Sequence, residues 1–242
     1  MLLRRREDKE EANDETTYVN TVANLREDVK LHELYSRTYT EEDVREVCNM
    51  LRSHVSSDGG SGVFLELEFR FDKVSKATYE DIHSRLKTCD RWKAVERSHT
   101  RDQIRGGVRR TVSLHDVRDA RIFIKKRIAS HALTERKDLK CVLSSEEQVE
   151  SCKIDWNKKS SDVLREKRRV SFVLEEEHAG VTWAFDLTCV NPGGANNCRQ
   201  QGTPTTYEVE VECRRFEAGD ELARRYVAES GLMKCQDVLR ML

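Results

Sequence analysis

Two short segments constrain the fold of this chain more than anything else in it. Leu65-Glu66-Leu67-Glu68-Phe69-Arg70-Phe71 and Tyr207-Glu208-Val209-Glu210-Val211-Glu212-Cys213 alternate strictly between apolar and charged or polar residues. Period two is the side-chain period of a β-strand, so each segment sends its charges to one face and its apolar groups to the other. Glu66, Glu68 and Arg70 share one face, and Glu208, Glu210 and Glu212 share another. A third segment is opposite in sign: Arg165, Lys167, Arg169 and Ser171 fall on a common face of Arg165–Phe172. In Val181–Val190, Thr182, Ala184, Asp186 and Thr188 oppose Trp183, Phe185, Leu187 and Cys189.

An ordinary solvated sheet face mixes its signs, whereas these strands are sorted by sign. Glutamate is also depleted in strands, yet five glutamates occupy same-face positions on two of them. Like charges ~4 Å apart repel by about 1 kcal/mol in water and about 4 kcal/mol at an effective dielectric of 20. A divalent cation among the carboxylates relieves that cost. Carboxylates without histidine or cysteine partners suit a hard ion, Mg²⁺ or Mn²⁺. A basic strand facing them suits a polyanion, with triphosphate the obvious choice. Both walls come together if the strands close into a barrel with charged faces inward and amphipathic helices over the apolar outside.

Such helices are present in the pattern. Val44, Val47, Cys48, Leu51 and Val55 recur at helical spacing behind Thr40 as an N-cap, predicting a helix over 41–54. Tyr79, Ile82, Leu86 and Cys89 predict a second helix over 79–89, and 220–242 reads as one or two helices interrupted at Gly231. Strands are expected at 63–71, 108–114, 121–128, 139–143, 165–174, 181–190 and 207–213. Ser56–Gly62 reads as a flexible break, Gly106-Gly107 as a turn, and Asn191–Thr206 as a long hairpin loop containing Pro192 and Pro204. The expected organisation is a charged, flexible arm over 1–35 and one domain over 36–242, with tunnel strands at about 63–214 and C-terminal helices at 217–242.

Composition narrows the classes. The 43 basic and 44 acidic residues leave a net charge of -1, which argues against coating nucleic acid or membrane by bulk attraction. No run approaches the ~20 apolar residues of a membrane span, and the start, Met1–Arg6, does not read as a secretory signal. The eight cysteines contain no C-x-x-C pair and read as reduced thiols of an intracellular protein. The seven histidines lack metal-site spacing, and Trp92, Trp156 and Trp183 read as packing anchors. Lys125–Arg127 and Lys167–Arg169 fall in strands and are read as structural rather than as nuclear-import signals.

Over roughly Val63–Cys213 the chain resembles the triphosphate tunnel metalloenzymes, specifically the metal-dependent RNA 5′-triphosphatases of mRNA capping in fungi and protozoa, and the compact protozoan-like members among them. The motifs are E-x-E (Glu66, Glu68), R-x-K-x-R-V-S-aromatic (Arg165, Lys167, Arg169) and E-x-E-x-E (Glu208, Glu210, Glu212). The resemblance implies a mainly β, closed antiparallel eight-stranded barrel with a charged interior and a few packing helices. It implies hydrolysis of the γ-phosphate of 5′-triphosphate RNA to 5′-diphosphate RNA, with activity on NTPs in Mn²⁺. Glu66, Glu68 and Glu212 would hold the metal. Arg109, Lys125, Lys167 and Arg169 would contact the γ-phosphate, and Glu146 and Glu210 would orient the attacking water. Arg165, Asp186, Thr188, Glu208 and Arg70 would complete the wall.

Arg109 is taken over Arg110 because Thr111 and Ser113 share its face, and Lys125 over Lys126 because Ile122, Ile124 and Ile128 define the opposite one. A one-residue shift would favour Lys126, and Glu147 stands beside Glu146. The chain also departs from the family's Arg-x-Asp-x-Thr at Ala184, for which Arg127 or Arg168 are the candidate replacements. The capping role implies a nuclear location and a functional link to an RNA guanylyltransferase, with a monomer expected. Competing expectations are a tunnel-type tripolyphosphatase or thiamine triphosphatase, and a non-catalytic barrel that binds phosphate or RNA ends.

Overall fold

The computed structural model describes residues 39–55, 63–116, 120–149, 154, 156, 163–176, 180–192, 204–216 and 220–241. The expected N-terminal arm, the 56–62 break and the middle of the 191–206 loop lie outside the described residues. In chain order the elements are α1 (Glu41–Val55), β1 (Val63–Val74), α2 (Lys76–Thr88), β2 (Ala94–Arg105), β3 (Val108–Ser113) and β4 (Ala120–Ala132). They continue with β5 (Leu139–Gln148), β6 (Val163–Glu176), β7 (Val181–Pro192), β8 (Thr206–Arg215) and α3 (Glu221–Arg240).

The eight strands form a closed barrel in the order β1-β5-β4-β3-β2-β6-β7-β8, with β8 returning to β1. Each neighbouring pair is antiparallel. Closure leaves no sheet edge to be protected. The β2–β3 hairpin turns on Gly106 and Gly107, both at positive φ (56° and 80°). Two successive residues at positive φ are what a tight I′-type turn requires.

The apolar core lies outside the barrel, between its wall and the helices. Leu67 and Phe69 of β1, Leu139, Cys141 and Leu143 of β5, Trp183, Phe185 and Leu187 of β7, and Val209 and Val211 of β8 are buried. They meet Val44, Val47 and Leu51 of α1, Ile82 and Leu86 of α2, and Val227, Leu232, Cys235 and Val238 of α3. Each such side chain contributes roughly 1.5–3 kcal/mol on burial, so the helices are bound to the barrel by the same alternation that sends charge inward. A polar fastener adds to this. Glu176 of β6 accepts hydrogen bonds from Trp183 Nε1 (3.2 Å), Tyr226 Oη (3.0 Å), Ser230 and Lys234.

Four expectations need correction. The C-terminal region is a single helix that runs through Gly231 without a break. A Cβ at Gly231 would stand 2.4 Å from Phe69 Cε2 and 2.7 Å from Trp183 Cη2, so the glycine allows close approach to the barrel rather than interruption. Helix α2 begins at Lys76 because Ser75 caps it, its hydroxyl accepting from the Thr78 amide at 3.0 Å. Strand β2 has no counterpart among the expected strands, and β5 runs on to Gln148 rather than ending at Leu143.

Candidate active site

The register places every expected site residue on the inner face of the barrel. Glu66, Glu68 and Arg70 lie across from Ser144, Val142 and Lys140 of β5, and Glu68 and Arg70 from Glu212 and Glu210 of β8. Thr188 faces Glu208 on one side and Arg169 on the other. Arg109 points inward with Thr111, while Lys125 pairs with Glu146. Lys126 and Glu147 fall on the outer face and are exposed.

These groups form three clusters of opposite charges. Lys125 Nζ bonds Glu66 and lies 3.7 Å from both Glu68 Oε1 and Glu146 Oε1. Arg109 Nη1 stands 3.6 Å from the same Glu146 oxygen. Arg169 is the second hub: it donates to Thr188 Oγ1 (2.9 Å), Asp186 Oδ2 (2.6 Å) and Glu210 Oε2 (3.2 Å), and lies 3.8 Å from Glu212 Oε2. Arg70 joins Glu68 (2.9 Å) to Glu210 (3.0 Å). The third hub is Asp102, which accepts from Thr111 Oγ1 (2.8 Å) and Arg165 Nη2 (3.3 Å), with Lys167 Nζ 3.7 Å away.

Burial and crowding shift the protonation of this lining. Glu212 is pushed up to about 8 by burial and by Asp186 and Glu66, against the pull of Arg169. Burial and Glu66 also raise Glu146, and burial raises Glu210 against Arg169 and Arg70. Burial would lower Lys125, but Glu68, Glu66 and Glu146 hold it above its ordinary range. Lys167 is lowered by burial and Arg165, which Asp102 does not fully offset. The two lysines therefore differ: three carboxylates hold Lys125 in its charged form, while Lys167 is buried beside Arg165 with only partial compensation from Asp102.

Asp102 and Arg214 were not among the expected site residues. Asp102 sits on β2, whose inner positions Glu96, Ser98, Thr100 and Asp102 alternate with Val95, Arg97, His99 and Arg101. Polar residues occupy both faces, so no hydrophobic period marks the strand. Its one trace in the sequence is S-x-T-x-D. Arg214 continues the E-x-E-x-E alternation of β8 by one more inward position, and it reaches Glu96 (2.6 Å) and Asp186 Oδ1 (3.4 Å). It supplies a guanidinium beside Ala184, whose register partner is Glu212. Arg168 does not fill that role, since it points outward to Glu166 (3.7 Å) and is exposed. Arg127 lies opposite Ser144, away from β7.

The donor set has the chemistry of a divalent-cation and phosphate site. Among the described residues no three His, Cys, Asp or Glu side chains are already gathered around one point as a metal-ligand set, because Lys125 and Arg169 stand between the carboxylates. Glu68 Oε1 is paired with Arg70 Nη2 at 2.9 Å, but Arg109 Nε and Arg165 Nε are buried without a hydrogen bond. Buried polar atoms left in this state cost about 1–3 kcal/mol each. Two buried guanidinium donors lacking an acceptor suit an anion such as phosphate.

Comparison with solved structures reaches the same fold. The RNA triphosphatase Pct1 of S. pombe superposes with a TM-score of 0.64 at 15% identity, covering 84% of this chain and 94% of that one. The RNA triphosphatase domain of the mimivirus capping enzyme superposes with a TM-score of 0.59 at 16% identity, covering 85% and 98%. The chain has the triphosphate tunnel fold. No protein-family model matches the sequence, and no curated protein does either. The tunnel's inner face therefore carries the functional argument. No described helix is long and apolar enough to cross a membrane. The described cysteines, Cys48, Cys89, Cys141, Cys189, Cys213 and Cys235, are free thiols.

Proposed function

We propose that this chain is a metal-dependent RNA 5′-triphosphatase that removes the γ-phosphate of 5′-triphosphate RNA in the first step of mRNA capping. One observation carries the reading: a closed barrel turns Glu66, Glu68, Glu146, Glu210 and Glu212 inward against Arg109, Lys125, Lys167 and Arg169. Glu66, Glu68 and Glu212 are the residues that would hold Mg²⁺ or Mn²⁺, whose chemistry there is to neutralise phosphate charge. Lys167 and Arg169 approach the γ-phosphate from β6, and Arg109 and Lys125 from β3 and β4. Their fixed donors stabilise charge on its equatorial oxygens without reorganisation at the moment of reaction.

Glu146 is the better placed of the two carboxylates proposed to orient water. Its contacts to Lys125 and Arg109 are loose, at 3.7 and 3.6 Å, whereas Glu210 is held by Arg70 and Arg169. Water attacks the γ-phosphorus in line, the bond to the bridging oxygen of the β-phosphate breaks, and inorganic phosphate and 5′-diphosphate RNA leave. A capping role would place the chain in the nucleus, in functional sequence with a guanylyltransferase and working as a monomer.

Phosphate release from 5′-triphosphate RNA, NTPs, tripolyphosphate and thiamine triphosphate, each with Mg²⁺, Mn²⁺ or chelator, tests the reading. Release from RNA that chelator abolishes is expected. Glu68→Ala should reduce it by at least 10²-fold, the scale of losing one group that stabilises the transition state. Release from tripolyphosphate alone would make the chain a tripolyphosphatase, and release from nothing would make it a binding barrel.

A further inference from the structure

The inner wall is polar almost throughout, and two aromatic rings break the pattern. Phe64 shares the inward parity of Glu66, Glu68 and Arg70 and lies opposite Glu146. Phe123 has the inward parity of Lys125 and lies opposite Arg109. Among the described residues these are the only aromatic side chains at inward positions of the eight strands. Every other strand aromatic, such as Phe69, Phe71, Phe172, Trp183, Phe185 and Tyr207, takes an outward position.

Both rings belong to the same mouth. The antiparallel register brings together the start of β1, the end of β5 and the start of β4, which is where Phe64, Gln148 and Phe123 sit. Ile104 on β2 and Val163 on β6, which continue the row that runs from Phe123 through Arg109, are aliphatic instead. Phe64 is 65% exposed, more than any other large hydrophobic residue described, so packing does not account for it. It lies two residues, ~7 Å along the strand, from Glu66, and its row across the sheet runs through Glu146 to Lys125. A flat apolar ring at that offset from a phosphate site suits the other end of a nucleotide. Aromatic faces stack any base, which gives affinity without sequence preference.

We propose that Phe64 is the stacking platform for the first base of the substrate, so that RNA leaves the tunnel through the mouth shared by β1, β5 and β4. This rests on the RNA triphosphatase reading and adds to it an orientation and a subsite. Half-buried Phe123 extends the apolar strip inward, between Arg109 and Lys125.

The full chain tests this through KM and kcat for 5′-triphosphate RNA, ATP, CTP and tripolyphosphate. Phe64→Ala should raise KM for RNA and ATP by roughly 5- to 150-fold, the range for losing one stacked base. The KM for tripolyphosphate, which has no base, should stay within about twofold, as should kcat. Phe64→Trp should retain wild-type KM, while Phe64→Leu should behave as the alanine variant does, which separates stacking from apolarity. KM for CTP should rise along with KM for ATP, since the ring stacks either base. Because the ring is exposed, the variant should melt with the wild type.

An equal rise in KM for tripolyphosphate would give Phe64 a structural role and overturn the proposal. So would an unchanged KM for RNA. A wild-type chain that releases no phosphate from RNA would overturn the triphosphatase reading itself, and this subsite with it. An active wild type with an indifferent Phe64→Ala overturns the subsite alone.

Discussion

Asp186 is fully buried and stands between two arginines, with Arg169 2.6 Å from one oxygen and Arg214 3.4 Å from the other. Its charge therefore fixes Arg169, and Arg214 tempers that charge. Where the resembled family has an arginine, this chain has Ala184, and Arg214 brings the guanidinium from the next strand. Acting through Asp186, it is a positioning residue, so Arg214→Ala should lower kcat on the order of 10-fold, as loss of outer partners of a site typically does. Adding Ala184→Arg to that variant should recover most of the loss. Steady-state kinetics of the single and double variants check this, and a double variant no better than Arg214→Ala would show that the two positions are not equivalent. Arg214 escaped the sequence reading because it lies one step past E-x-E-x-E, next to Arg215, with no partner in sequence to mark it.

The helices show how a local signal and a tertiary demand compete. Thr40 and Asp43 form a reciprocal cap at the start of α1: the Thr40 hydroxyl accepts from the Asp43 amide (3.2 Å), and Asp43 Oδ2 accepts from the Thr40 amide (2.7 Å). The other oxygen, Oδ1, accepts from the Thr134 amide (2.9 Å) and pairs with His131 Nε2 (2.8 Å), tying the helix to the β4–β5 connection. Burial alone would raise Asp43, but these bonds from His131, Thr40 and Thr134 bring it down to about 2. A depressed carboxylate adds stability that is present above its unfolded pKa near 4 and is lost as pH falls through about 2. Asp43→Asn should therefore cost about 2 kcal/mol at neutral pH, with the gap to wild type closing between about pH 4 and 2; urea titrations across that range measure it.

At Gly231 the tertiary demand wins. Alanine would favour the helix by up to ~1 kcal/mol, yet its Cβ would press on Phe69 and Trp183, and overpacking costs about 1–3 kcal/mol. Gly231→Ala should lower the melting temperature, whereas a rise would mean that the rings yield freely. Sequence periodicity could place α1 and α3, but a glycine that admits two rings from distant strands reads locally as a break.

For the whole molecule, the alternation in β1, β6, β7 and β8 made the inward charge and the outward core legible, because period two needs no tertiary information. The β2 wall was not legible: with polar residues on both faces it lacks the contrast on which periodicity depends, and Asp102 went with it. Closure has an energetic consequence that the separate strands do not. It buries Glu212 and crowds it with Asp186 and Glu66 enough that Glu212 holds a proton up to about 8. A cation that binds only the folded barrel relieves this and stabilises it by mass action, about 2.7 kcal/mol at one hundred times its dissociation constant. For a chain of this size that is a rise of roughly 5–10 °C in melting temperature. Mn²⁺ or Mg²⁺ should produce it without substrate, and chelator should reverse it. Glu212→Gln, which keeps the shape of the protonated carboxyl, should melt near the metal-free wild type and lose the metal-induced rise. A wild type indifferent to both ions, or a Glu212→Gln chain that responds as strongly, would take the metal out of the tunnel and leave the carboxylates to be explained by their arginines and lysines alone.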